Sequence, residues 1–163
     1  MTEAISARPL TRADFAPFGF VIETPGPTHY PINAGRCIRH HDLAPVELDA
    51  EGRAVISIFV SKPVTLPYAL ALMERHPLGS QAFVPLQPDP FLVIAAEDND
   101  GAPGRPQAFL TTPGQGVSFG RNVWHGVLTP LGEAEARFLV VDRGGPGTNL
   151  QEHAFNRPWM IVG

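Results

Sequence analysis

The chain has 163 residues, 44% of them hydrophobic and 17% charged, with 12 Lys and Arg against 16 Asp and Glu for a net charge of −4. That composition excludes a disordered chain and suits one domain over residues 1–163 with a substantial core. The lack of any basic run argues against nucleic acid as a main partner. The N-terminus MTEAISARPL lacks the apolar core of a signal peptide, no stretch approaches membrane-spanning length, and the single Cys37 leaves no internal disulfide, so no membrane contact and a reducing cytoplasm are expected.

In chain order, Thr11 to Asp14 reads as a capping box with Asp in place of the usual Glu or Gln, opening a short helix through Ala16. Phe20 to Glu23 reads as a strand and Thr24 to Pro27 as a loop. Ile32 to Leu43, INAGRCIRHHDL, combines a turn at Asn33–Gly35 with an extended piece bearing Arg36, Arg39, His40, His41 and Asp42. It is either a solvated polar edge or an arm carrying a guanidinium and an imidazole to a ligand. Cys37 within it reads as a small packing residue rather than a nucleophile. Val46 to Ala54 is a charged connector, and Val55 to Lys62, VISIFVSK, is a β-branched strand.

Leu66 to Leu86 is the centre of the pattern. Leu66, Tyr68, Leu70, Leu72, Glu74 and His76 alternate and share one strand face, placing Glu74 and His76 side by side at its end. Pro77 to Ser80 is a turn, after which Gln81 opens a second strand and can return to the same point. Phe91 to Ala96 is a continuous apolar run, expected to be a strand buried on both sides. Glu97 to Pro106 is an acidic Gly/Pro hairpin connection. Gln107 to Thr111 is a strand, Pro113 to Gly116 a tight turn, and Val117 to Phe119 and Asn122 to Leu128 are strands. In Ala136 to Asp142 the residues Ala136, Phe138, Val140 and Asp142 share a face. Gly144 to Gly147 is expected to end regular structure, with Trp159 and Met160 to Val162 packing back on the body.

Eight to ten short strands with Gly/Pro turns and little helix predict an all-β fold, closed as a sandwich or as a cupin-like jelly-roll β-barrel. Two spacings favour the cupin. Glu74-x-His76 followed by Gln81 has the spacing of that fold's first motif, with Glu and Gln standing where His and Glu are usual. Pro113-x-Gln-Gly116 leads to Trp124-His125 as its second motif does.

The segments ERHPLGSQAF (Glu74–Phe83), RNVWHGVL (Arg121–Leu128), VDRGG (Val141–Gly145) and INAGRCIRHHDL resemble the ureidoglycolate lyase family of allantoin and purine catabolism, in order over nearly the whole chain. The resemblance implies a cupin-like barrel, commonly a homodimer, that cleaves ureidoglycolate to glyoxylate and urea, with nickel as an associated metal.

That chemistry needs a holder for the carboxylate, a base for the hydroxyl and an acid for the leaving nitrogen. The candidates are Glu74, His76 and His125 as catalytic groups, and Arg39, His41, Gln81 and Arg121 as substrate-binding groups. Arg75 is the poorest arginine, because it faces away from Glu74 and His76. Glu74, His76, Gln81 and His125 are also a candidate ligand set for a divalent metal; without one, Glu74 and His76 act as base and acid directly. Each has a plainer reading: His125 a satisfied core histidine, Arg121 and Asn122 turn residues, Asp142 and Arg143 an ion pair at a strand end, and Trp124 core. Two other functions fit the same residues, a metal-dependent cupin acting on another small hydroxy acid and a non-catalytic small-molecule-binding cupin.

Overall fold

The computed structural model describes residues 3–163. The first third of the chain forms β1 (Ala4–Ser6), β2 (Arg8–Pro9), α1 (Arg12–Phe15), β3 (Gly19–Ile22), β4 (His29–Ile32), β5 (Cys37–His40) and β6 (Arg53–Ser61). The middle forms β7 (Tyr68–Arg75), β8 (Gln81–Pro85), β9 (Phe91–Ala96), β10 (Asp98–Asn99), β11 (Ala102–Pro103) and β12 (Gln107–Leu110). The last third forms β13 (Gly116–Phe119), β14 (Trp124–Gly126), β15 (Thr129–Pro130), β16 (Ala136–Gly144) and β17 (Gln151–Val162). Helix α1 is one turn, capped as the sequence predicts: Thr11 Oγ1 accepts from the Asp14 amide at 3.1 Å and donates to the Asp14 carboxylate at 3.0 Å.

Two sheets face each other as a cupin-like β-barrel. The larger runs β1-β17-β7-β14-β9-β12-β2, with β15 attached to β9, and the smaller runs β3-β13-β8-β16-β6. Strands β4 and β5 form a separate antiparallel ribbon, and β10 and β11 pair as a hairpin. The space between the sheets is filled by Phe15, Phe18, Phe83, Phe91, Phe109, Phe119 and Phe138 together with smaller apolar residues of both sheets. Rings of Phe15, Phe109 and Phe119 meet edge to face at 5.7–5.8 Å. Each such ring contributes roughly 1.5–3 kcal/mol by leaving water.

A second cluster, Ile5, Leu70, Met73, Leu92, Ile94, Ala96, Ala108, Trp124 and Ile161, draws on the larger sheet alone and therefore covers its outer side. β9 supplies both clusters, Phe91, Val93 and Ala95 inward and Leu92, Ile94 and Ala96 outward, so all six residues are buried as the apolar run predicts. Leu70 departs from expectation. It joins Met73 in the outer cluster, with Leu66 and Tyr68 packed against it, instead of sharing a face with Glu74; the pairing of β7 with β17 shifts register at this same place, between Ala154 and Trp159.

The tail also departs from expectation. Regular structure does not end at Gly144–Gly147: β17 is the longest strand and lies between β1 and β7. Its polar, Pro-interrupted sequence hides a strand that pairs along its length while bulging in the middle. Cys37, read as a packing residue, is exposed on the ribbon.

Candidate active site

β7 carries Glu74, and His76 follows its last residue; the Pro77–Ser80 turn then delivers Gln81 at the start of β8. His125, on β14, is registered directly opposite Glu74, so the two side chains leave the sheet on the same face. Its neighbours point the other way. Trp124 joins the outer cluster and donates its indole N–H to Asp98 at 2.8 Å, and at Gly126 a methyl group would press on Ile94 and Leu70. Arg75 also faces outward, over the Trp124 ring and bonded to Asp98 and Gln151. On the smaller sheet, Phe138, Val140 and Asp142 alternate inward, and Asp142 meets Gln81 there.

The hydrogen bonds fix the orientation of each group. Gln81 donates its amide N–H to Asp142 at 3.1 Å, so its Oε1 is turned to the site. His76 donates from Nδ1 to the Asn149 carbonyl at 2.8 Å, which leaves Nε2 facing Gln81 Oε1 at 3.1 Å and Glu74 Oε1 at 3.7 Å. His125 donates from Nδ1 to the Gly126 carbonyl at 2.9 Å, and its Nε2 is buried with no protein partner. That ring is stacked on Phe119 at 4.3 Å, and its centre lies 5.2 Å from that of His76.

Four lone pairs thus face one point: a Glu74 oxygen, Gln81 Oε1, His76 Nε2 and His125 Nε2. Such a set is stable only with a positive charge among its members, either a proton on His76 or a bound cation. The titration of each group follows. The hydrogen bond with His76 draws the Glu74 carboxyl below its ordinary value, against the opposing effect of burial. Burial works against the charged ring of His76, but its bonds to Glu74 and the Asn149 carbonyl, and the charge of Glu74, together raise it. Burial pushes His125 down to about 4.

Donor atoms of Glu74, His76 and His125 lie within 4.8 Å of one another, a candidate metal-binding triad. With the oriented Gln81 oxygen they offer two imidazole nitrogens and two oxygens, and the unpartnered Nε2 of His125 points where a ligand is needed. The residues fit a first-row divalent ion. Glu74, Gln81 and His125 border a cavity of about 370 Å³ whose wall also includes Phe59, Ser61, Phe83 and Leu128.

The sequence-predicted residues therefore divide. Glu74, His76, Gln81 and His125 come together. Arg39 and His41 belong to the ribbon: Arg39 is exposed opposite Tyr30, and the His41 ring lies 5.9 Å from that of Tyr30. Arg121 donates to the Pro77 carbonyl at 2.6 Å and so braces the turn. None of these three lines the cavity. The expected Asp142–Arg143 ion pair does not form, since successive strand residues face opposite ways. Arg143 instead makes a two-pronged contact with Asp49, at 2.8 and 3.1 Å. Sequence reasoning missed two residues. The alternation of β16 reached Asp142 without identifying its task. Asn149, which accepts from His76 through its carbonyl and from the Leu78 amide through its side chain at 2.8 Å, gave no signal at all.

The model of the ureidoglycolate lyase family matches residues 2–162. The chain is 58% identical over 161 residues to a ureidoglycolate lyase of Rhodobacter capsulatus, covering 99% of both chains. It is 54% identical over 155 residues to ureidoglycolate lyase 2 of Rhizobium meliloti, covering 94% of both. Among solved structures, a dTDP sugar isomerase of Desulfovibrio desulfuricans aligns with 80% of each chain at a TM-score of 0.43 and 16% identity. Matches of this identity over the full length leave one placement: the chain belongs to the ureidoglycolate lyase family.

Proposed function

We propose that this protein is a lyase that cleaves ureidoglycolate to glyoxylate and urea in the cavity lined by Glu74, Gln81 and His125, with His76 against Glu74 and Gln81. The observation that carries the reading is the convergence of those four lone pairs in a chain that matches the family from end to end. The reaction removes the hydroxyl proton, forms the aldehyde C=O and breaks the C–N bond, with a proton passing to the leaving nitrogen. Glu74, held ionised beside His76, takes the hydroxyl proton. His76, whose protonated form is favoured, supplies the proton to the ureido nitrogen. His125 stays neutral and accepts a hydrogen bond at Nε2, orienting the substrate against Glu74. Asp142 keeps the Gln81 oxygen turned inward.

Glu74, His76, Gln81 and His125 would also hold a divalent metal ion, nickel among the fitting choices; when bound, it supplies a Lewis acid that lowers the pKa of a nearby hydroxyl. We take residues 1–163 as one domain, supported by the core shared between both sheets, and the protein as cytoplasmic, supported by the exposed thiol of Cys37. Among the described residues no helix is long and apolar enough to cross a membrane. A homodimer is supported by the apolar outer face of the smaller sheet. The deciding experiment incubates the protein with ureidoglycolate, and separately with other small hydroxy acids, and identifies the nitrogen product. Urea released from ureidoglycolate alone is expected; ammonia, or no turnover, would overturn the reading.

A further inference from the structure

The substrate proposed above is an anion, yet the cavity is not cationic. Glu74 lines it and Asp142 stands beside Gln81, and no Arg or Lys is in its wall. Nearby cations are engaged elsewhere: Arg143 with Asp49, Arg121 with the Pro77 carbonyl, Arg75 with Asp98. Arg53 and Lys62 flank the cavity strand β6 and are exposed.

The β4–β5 ribbon has the complementary character. From His29 to His41 it carries Arg36, Arg39 and three histidines, and no carboxylate. Its base, Pro27, Asp42 and Leu43, borders a groove against Gly19–Val21 of β3. β3 is one edge of the smaller sheet and β6 the other. Four strand spacings separate the ribbon's base from the cavity strand, about 19 Å across the sheet.

The outer face of that same sheet is largely apolar, with Arg137 on β16, opposite Val60, as its exposed charge. Ile56, Ile58 and Val60 on β6 are 74%, 45% and 58% exposed, and Phe20 on β3 is 46% exposed, with the half-buried Val84 and Leu139 between them. A solvated antiparallel sheet carries polar residues on such a face, so this face is built to be covered. A second copy packed sheet to sheet, about a two-fold axis running along the strands, covers it. That rotation exchanges the two edges, setting each β3 edge against the β6 edge of the other copy.

We infer that this face joins two copies of the chain, and that the partner's Arg39 completes the cavity mouth as the cation that binds the substrate carboxylate; the second part rests on the ureidoglycolate reading. Arg39 is chosen over Arg36 because it lies within a paired strand, opposite Tyr30, whereas Arg36 sits in the connecting turn.

Two measurements test the proposal. The first does not depend on activity. A Val127→Cys variant adds a thiol in the cavity wall to the native Cys37 on the ribbon, and a short bis-maleimide should then link two chains, a product lost in the Cys37→Ser background. Linkage within one chain, no linkage, or a strictly monomeric protein would overturn the inference while leaving the proposed reaction untouched. The second is complementation. Arg39→Ala and Glu74→Gln chains are co-expressed with different tags and the mixed dimer is purified through both. Each homodimer is expected to lose at least tenfold in kcat/KM, while the mixed dimer, holding one intact site, recovers about half of the wild-type value per dimer. A mixed dimer no better than the average of its parents, or a loss with Arg53→Ala and none with Arg39→Ala, would place the carboxylate contact within one chain and overturn the inference. Cross-linking of the Val127→Cys protein as expected, with a wild type that does not turn over ureidoglycolate, would locate the failure in the reaction assigned.

Discussion

At the scale of single residues, what matters is which way each lone pair points. Asp142 touches the site only through Gln81, yet it decides whether Gln81 presents an oxygen or an amide N–H. Asp142→Asn should lower kcat by about 10–100-fold, the usual effect of losing an outer support to a catalytic or metal-binding group, with little change in Tm. Equal losses in kcat and Tm would show a merely structural role. His76 and His125 differ in the same way. His76 is part-exposed, so His76→Ala should abolish turnover and leave the barrel folded. His125 is 1% exposed under Phe119, so His125→Ala should abolish turnover and also destabilise the fold, by roughly 2–5 kcal/mol as for other large buried groups.

The same burial makes His125 a pH-dependent element of stability. Its folded pKa, about 4, lies below the unfolded value near 6.5, so the unfolded chain binds the extra proton between those values. Stability from this group is therefore full above pH 6.5 and falls as the pH drops toward 4, by on the order of 3 kcal/mol. His76, raised on folding, acts oppositely: its contribution is full below 6.5 and fades as the pH rises through its folded value. Denaturant titrations at pH 7 and pH 5 should show a loss in the wild type that is absent in His125→Phe.

At the scale of elements, the Pro77–Ser80 turn positions His76 and Gln81, and it is held from outside. Arg121 grips the Pro77 carbonyl, Asn149 accepts from the Leu78 amide, and the Ser80 amide donates to the Glu47 carbonyl at 3.0 Å. Asn149→Ala leaves the Leu78 amide short of its partner. A loss of roughly 1–2 kcal/mol in denaturation midpoint energy is expected, together with a reduced kcat as His76 loosens. Strand β16 offers a contrast, since Phe138 is fully buried between the sheets: Phe138→Ala should cost about 3–5 kcal/mol through the cavity it leaves, with kcat per folded molecule nearly unchanged.

At the scale of the molecule, the chain's last strand is structural, not an appendage. β17 pairs with β7, whose end carries Glu74, and Ile161 is fully buried in the outer cluster. A chain ending at Pro146 should lose the edge support of β7 and expose Leu70 and Met73. We expect it to be insoluble or to lack a cooperative melt by circular dichroism, whereas removal of Gly163 alone should be silent.

The all-β class, the double-sided burial of Phe91–Ala96 and the inward face of Ala136–Asp142 were legible because strand alternation is a local property. Glu74, His76, Gln81 and His125 were legible because the turn chemistry at Pro77–Ser80 and Pro113–Gly116 set their spacing. What remained hidden was non-local. Leu70 joined the outer cluster where the pairing with a strand some ninety residues later shifts register, β17 itself had no periodic signature, and Asn149 reached His76 across 73 residues. Local sequence determined which residues could form strands and which polar side chains ended them. Only the tertiary structure decided how those ends met, because hydrogen bonds such as Gln81 to Asp142 and His76 to Asn149 join groups that the chain keeps far apart.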